Sequence, residues 1–442
     1  MTSTIDRHGC AECAAAERAS TITRRGLLKG ILGTGAAMVA LPALETVTAR
    51  AAFAAGSAYT GDTLVVVSLR GGMDGLSAIV PAGGAERAAY DKLRPNIAIP
   101  QNSLIPLDAN FGMHPALDSL TSLWNAKQFA VVHAAGMIYP DRSHFSAMAE
   151  MENATIGSTV RTGWLDRMLA FERAGGPFGA VQMGNTNVPY SLVGDQPVLA
   201  LNSLGDFSLD GPNNAKEAAQ WATALKDLHY GSTSQVNLAV STVLDALNTI
   251  ATLTASPYVP ANGANYPNSD LGNALRGVAQ LVKANLGLQV VTLDVDNWDM
   301  HAGLSDQGNP LGGWMHDNLT NLGDCFGAFA QDLGADFNNV TMVTMSEFGR
   351  RAYENGSNGL DHGWGNAMLV LGGGVNGGTV YTKWPGLEDA HLNEGDLAVT
   401  TDYREVLADI LTNRCRVTTS GAKQVFPDYK GSNTLGLTTA KA

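Results

Sequence analysis

The chain has 442 residues, of which 45% are hydrophobic and 16% charged, enough apolar material for a large core. Its formal net charge of −13 excludes the broad basic surface that nucleic acid or an anionic membrane would attract. Four cysteines are too few for a disulfide framework.

The first readable element is "TRRGLLKGILGTGAAMVALPALETVTARAAFA". Arg24 and Arg25 stand before Leu27, Leu28 and Lys29, a modest apolar stretch comes next, and Ala52-Phe53-Ala54 fits an A-x-A cleavage site. Residues 1–54 therefore read as a twin-arginine (Tat) signal peptide, with the Tat translocase as partner during export. The expected location is secreted, periplasmic or cell envelope. The apolar run is too short and too interrupted for a membrane span. Cys10 and Cys13 leave with the signal, and Cys325 and Cys415 remain.

Five short, near-continuously apolar runs then read as strands buried on both faces: 63–69, 129–135, 288–295, 340–345 and 367–373. Helical patterns lie between them at 114–127 and 311–334, the latter repeating Leu319, Leu322, Phe326, Phe329 and Leu333 on one face. Strands alternating with helices predict an α/β fold, a mainly parallel central sheet sandwiched by helices. The segment 200–275 differs: two helical patterns near 214–229 and 234–253 lead into a Pro/Asn/Ser-rich loop at 254–270, read as a helical insertion or cap. "LGGGVNGG" (371–378) leads into "TVYTKW" and reads as a hairpin, and His133, inside an apolar strand, as a satisfied core residue.

The residues just past each strand point to chemistry. Arg70 and Asp74 come after the first, and Asp141, Arg142, Ser143 and His144 after the second. Asp296, Asp299 and His301 come after the third, and Glu347, Arg350 and Arg351 after the fourth. The stretch "SEFGRRAYENGSNGLDHGWG" then reaches Asp361 and His362 just before the fifth. Open α/β sheets bind ligands beyond the carboxyl ends of their strands, so these groups converge on one edge. Carboxylates and histidines without thiolates suit a divalent ion, one or two of Zn, Mn, Fe, Ca or Mg. Asp74, Asp299, His301, Glu347, Asp361 and His362 are the candidate metal residues. Ser143, at a predicted helix start, is a candidate nucleophile or simply an N-cap, and Arg142 and Arg350 suit an anionic phosphate or sulfate.

The motif run "RGGMDGLSAIVP", "DRSHF", "TGWLDR", "NWDMHAGL", "SEFGRRAYENGSNGLDHG" and "TTDYREVL", over roughly residues 60–415, resembles a bacterial family of Tat-exported proteins of unknown function. That family is grouped with the alkaline phosphatase/sulfatase superfamily. The resemblance implies one alkaline phosphatase-like α/β domain over 55–442, with metals at the strand ends. By position, Asp74 resembles the first-strand metal Asp, Ser143 the nucleophile, Asp299 and His301 the mid-chain ligands, and Asp361/His362 a late ligand with its neighbour. Two positions depart from the pattern: Glu347-Phe348 stands where the superfamily often has Asp-His, and Asp299 and His301 are two apart rather than four.

The resulting expectation is an exported, metal-dependent hydrolase of phosphate or sulfate esters, using a serine nucleophile and a metal-activated water. The rivals are a non-catalytic module binding an anionic envelope polymer and an assembly protein exported with a partner.

Overall fold

The computed structural model describes residues 38–39, 59–139, 141–156, 160–171, 176–209, 211–212, 214–229, 235–431 and 435–441. Apart from Met38 and Val39, the signal segment expected at 1–54 lies outside the described residues.

Seven strands form the body of a 10-stranded sheet. They are β1 (Thr63–Leu69), β2 (Phe129–Gly136), β3 (Ala180–Met183), β4 (Leu199–Leu201), β5 (Val290–Val295), β6 (Val340–Met345) and β7 (Asn366–Gly372). The order across the sheet is Met38–Val39, β4, β3, β5, β1, β6, β7, β2 and Val380–Tyr381, with Thr401–Asp402 also paired to β2. β4, β3, β5, β1 and β6 run parallel to one another. β7 is antiparallel to both β6 and β2, so β2 again points with the majority.

β1 shows why the sheet is covered on both sides. All seven of its residues are buried. Val65, Val67 and Leu69 face one core cluster, shared with the helices α2 (Asp270–Lys283) and α3 (Trp314–Leu333), while Leu64 and Val66 face the other. The second cluster is covered by α1 (His144–Asn153) and α4 (Tyr403–Arg414). The period of two in a strand sends alternate apolar side chains to opposite faces, so a run apolar throughout needs helices on both. This is the sandwich the sequence predicts. Cys325 lies in the first cluster and Cys415 in the second, both buried and free.

Two expectations change. Residues 114–127 form not one helix but a 3-10 stretch, Pro115–Leu120, within which Leu117 leaves helical geometry, followed by the short helix Thr121–Asn125. The glycine-rich 371–378 segment is not a hairpin: Val380–Tyr381 lies beyond β2 and runs parallel to it. The glycines there let chains touch, since a Cβ on Gly377 would sit 2.5 Å from the Phe129 carbonyl oxygen. β3 and β4, with 4 and 3 residues, are too short to stand out in a periodicity reading.

Candidate metal centre

The antiparallel strand decides which residues meet. β1, β5, β6 and β2 end at the carboxyl edge, and β7, running the other way, begins there. Residues just before β7, Asp361 and His362, therefore arrive beside those just after the others. An isolated bridge between Arg350 and His362, with Gly363 N donating to Gly349 O at 2.9 Å, holds this loop against the end of β6. Gly363 has to be glycine at this approach, because a Cβ would meet the Arg350 carbonyl carbon at 2.2 Å.

Three imidazoles and one carboxylate come together at that edge. His144 Nε2 and His362 Nε2 are 2.9 Å apart, and His301 Nε2 and His362 Nε2 are also 2.9 Å apart. Asp299 Oδ1 lies 3.2 Å from His301 Nε2, 3.3 Å from His362 Nε2 and 3.6 Å from His144 Nε2. The far nitrogen of each ring is anchored. His144 Nδ1 donates to Glu347 Oε1 at 2.7 Å, His301 Nδ1 to Asp361 Oδ1 at 2.8 Å, and His362 Nδ1 to the Arg142 carbonyl at 2.8 Å. With hydrogen on each Nδ1, a neutral ring carries its lone pair on Nε2. Three lone pairs and a carboxylate oxygen then face one another with no proton between them, an arrangement that repels unless a cation or protons intervene.

Those spacings match a cation. Ligand atoms at zinc distances of about 2.0–2.1 Å in a tetrahedron are separated by roughly 3.3 Å. Anchoring each Nδ1 on a carboxylate or carbonyl is also how proteins orient metal-binding histidines. The donor set, three imidazoles and one carboxylate, suits Zn, Mn or Fe better than the all-oxygen shells of Ca or Mg. His144, Asp299 and His362 lie close enough together to share one divalent ion, and His301 Nε2 stands at the edge of the group against Asp299 and His362.

The same crowding draws protons to the group. Burial works against charge on His144, but hydrogen bonds to Asp299 and Glu347, with their negative charge, raise its pKa to about 9. For Asp299 burial again opposes charge, but His144, His301, His362 and Arg350 together hold the carboxylate well below its usual range. Glu347 is buried, yet its pKa is lowered by His144 and by the Gly71 N–H, which donates to Oε1 at 2.8 Å. At His301 the hydrogen bond to Asp299, joined by that to Asp361, outweighs burial and raises the pKa.

The other expected residues take different places. Asp74 is not in the group: it caps the short helix Gly75–Ala78 through Ser77 N at 2.9 Å, and both its oxygens meet the buried guanidinium of Arg94, Oδ1 at 3.0 Å and Oδ2 at 2.5 Å. Glu347 and Asp361 stand behind histidines as acceptors for Nδ1. Arg350 is buried and every nitrogen of its guanidinium is engaged. Nε donates to Gly72 O at 2.6 Å, Nη1 to Leu360 O at 2.8 Å, and Nη2 to Asp299 Oδ1 at 2.7 Å as well as to Gly71 O. Arg142 donates through Nε to Asp396 Oδ2 at 3.1 Å. Neither arginine is an open clamp for an anion.

Ser143 sits at the N-cap of α1 with extended backbone, φ −99° and ψ 118°, but its hydroxyl makes no capping bond. Its N–H donates to Asp141 Oδ1 at 2.8 Å, and Asp141 Oδ2 accepts from Ser146. The N-cap is thus one in position but not in hydrogen bonding. His144 is the residue that the sequence reading passed over. Its signal was present: it is the histidine of "DRSHF", at a strand end like the others, at the first position of the following helix.

A family model described as "Protein of unknown function (DUF1501)" matches residues 139–433, well over half of the chain, and the chain belongs to that family. No curated protein matches the sequence. Among solved structures, the chain is similar to the C-terminal periplasmic domain of EcEptC from Escherichia coli in complex with Zn, at 9% identity and a TM-score of 0.33, covering 72% of this chain and 74% of that one. It is also similar to the lipoteichoic acid synthase LtaP from Listeria monocytogenes, at 9% identity and a TM-score of 0.31, covering 89% and 78%. A third is Ps i-CgsB in complex with k-i-k-neocarrahexaose, at 11% identity and a TM-score of 0.30, covering 86% and 74%.

Proposed function

We propose that the protein is an exported, metal-dependent hydrolase of phosphate or sulfate esters, of the alkaline phosphatase/sulfatase type, working at the carboxyl edge of the sheet. The observation that carries this reading is the convergence of three Nδ1-anchored imidazoles on Asp299. A divalent ion bound there supplies Lewis-acid polarisation of an ester oxygen. His144, His362 and Asp299 would hold it, with His301 next to Asp299 and His362 as a further ligand; Glu347 and Asp361 orient two of the rings, and Arg350 fixes the Asp299 carboxylate.

Ser143 is the proposed nucleophile. It precedes one metal residue, His144, and follows Arg142, whose carbonyl anchors another, and its hydroxyl is not spent on the helix cap. Its oxygen forms a bond to phosphorus or sulfur as the bond to the alcohol breaks, and the alcohol leaves with a proton. Water then cleaves the ester on Ser143 and returns the hydroxyl.

The twin-arginine segment supports export through the Tat translocase to the periplasm, envelope or medium. Among the described residues no helix is long and apolar enough to cross a membrane. We take 55–442 as one alkaline phosphatase-like domain with 200–275 as its helical insertion; Ala246 and Ile250 of that segment bury against the sheet's first core cluster.

A second reading, a non-catalytic module that binds an anionic envelope polymer, is favoured by one observation: Arg142 and Arg350 are both occupied by internal partners. Turnover separates the two. The metal-loaded protein is expected to hydrolyse an activated aryl phosphate or sulfate, and Ser143→Ala to lose at least about 10³-fold in kcat while keeping its metal. Retained turnover in that variant would move the nucleophile elsewhere. Absence of turnover in the wild-type protein would favour the binding module.

A further inference from the structure

A concave site lies at the edge of the sheet opposite the metal group. The 3-10 stretch and short helix of residues 115–125, the C-terminal half of α3 and the loop 262–267 flank an open cleft of about 870 Å³. Gln128, directly before β2, and Phe337, three residues before β6, also line it. Both strands point with the majority, so the cleft opens at the amino edge of the sheet, whereas the metal group sits at the carboxyl edge. The six residues of β6 alone hold the two edges roughly 20 Å apart.

The loop wall of the cleft is fixed before any ligand arrives. Buried Asp332 accepts from Tyr258 Oη and Tyr266 Oη, both at 2.9 Å, from Ala261 N at 2.6 Å and from Lys283 Nζ. Asn262 Nδ2 donates to the Gln331 carbonyl and Gln331 Nε2 to the Asn262 carbonyl, each at 2.8 Å. This reciprocal pair ties loop to helix and leaves Asn262 Oδ1 and Gln331 Oε1 without a partner among the described residues. Across the cleft, Ser119 Oγ donates to Asp324 Oδ1. Asp324 Oδ2 and the side chains of Ser122, Gln128 and Asn265 make no hydrogen bond among the described residues.

The lining is therefore amides, hydroxyls and one carboxylate, with no Lys, Arg or His. A phosphate or sulfate calls for charged donors and would meet Asp324 instead. A sugar hydroxyl donates and accepts at once, and amides, hydroxyls and a carboxylate answer it in kind. Leu123, Ala328 and Phe337 add apolar surface for the C–H face of a sugar ring. A few placed polar groups on a preformed cleft of roughly 300–1,000 Å³ are the usual make-up of a small-molecule site.

We propose that this cleft is a second binding site, for an uncharged saccharide, held by Gln128, Asn265, Gln331 and Asp324. Occupied, it keeps the protein on a sugar chain while the metal centre stays free. The inference does not depend on the hydrolase reading.

Calorimetry of the full chain with maltotriose, cellotriose and triacetylchitotriose in turn tests it. Saturable binding of at least one is expected. Gln128→Ala combined with Asn265→Ala should weaken that binding at least about tenfold. Neither side chain has a protein partner among the described residues, so the unfolding midpoint should not move. Ser122→Trp, at an exposed helix position, should fill the cleft and abolish binding, and Asn187→Ala, on an exposed turn elsewhere, should bind as the wild-type chain does. Metal content should match the wild-type chain in every variant. Failure of all three sugars to bind would overturn the inference, as would binding that survives both cleft variants. Saturable binding of a neutral Gly-Ser repeat pentapeptide in place of the sugars would make the cleft a peptide groove and end the saccharide assignment. Loss of metal in either cleft variant would end its separation from the metal centre and overturn the inference as well.

Discussion

Asp74 and Asp299 lie just past neighbouring parallel strands, β1 and β5, and both carry negative charge into a crowded sheet edge. Asp74 is closed: both oxygens are taken by Arg94, itself fully buried, and one also caps a helix. Asp299 is crowded differently: Arg350 meets its Oδ1, and three imidazole nitrogens gather around the same oxygen. A guanidinium completes the first arrangement, whereas only a cation from outside or added protons can complete the second. The same residue type at equivalent strand ends thus gives a structural lock in one case and a binding site in the other.

This difference can be broken from either side. The largest effect is expected at the Asp299 group: His362→Ala or His144→Ala should remove stoichiometric metal, read by elemental analysis, with fold retained by circular dichroism. At the closed group, Asp74→Ala leaves the Arg94 guanidinium buried without its carboxylate. That should cost about 3–5 kcal/mol in denaturant unfolding, yet leave the metal content as it was. An Asp74 variant that lost metal with little change in stability would reverse these two roles. Next comes the orienting layer, where Glu347→Gln should weaken metal affinity by roughly 10–100-fold in a chelator competition. Asp361→Asn should do less, because that carboxylate is 55% exposed and water can replace it.

A separate effect concerns a histidine that belongs to neither group. His133 is fully buried in β2, donates to the Ile79 carbonyl at 2.9 Å and accepts from Ala134 N at 2.8 Å. Burial lowers its pKa to about 4, against the opposing pull of Asp74. Between its unfolded value of about 6.5 and about 4, the unfolded chain binds the extra proton, so stability falls as pH falls through that window. The loss should be on the order of 3 kcal/mol, and His133→Gln should flatten it in unfolding curves taken from pH 7 to pH 4.5.

Much of the fold could be read from the sequence, because buried strands announce themselves as unbroken apolar runs. "TLVVVSL" and "VTMVTM" span β1 and β6 residue for residue. The edge at which the polar residues collect was equally legible from the charged and imidazole groups just past each run. The direction of β7 was not, since strand sense leaves no mark in composition, yet that reversal brings His362 to the site. Nor does sequence show which carboxylate meets which partner. Asp74 and Glu347 looked like ligands by type and place, but Arg94, 20 residues beyond Asp74, and His144, 203 residues before Glu347, decide their roles. Tertiary pairing separates the ligand from the residue that orients it.

The most direct test is the metal content of the chain purified without chelators or affinity metals, measured beside His144→Ala and Asp74→Ala. The expected result is one equivalent of Zn, Mn or Fe in the wild-type chain and in Asp74→Ala, and none in His144→Ala. Absence of metal from the wild-type chain after reconstitution, or undiminished metal in His144→Ala, would contradict a centre built on His144, Asp299, His301 and His362.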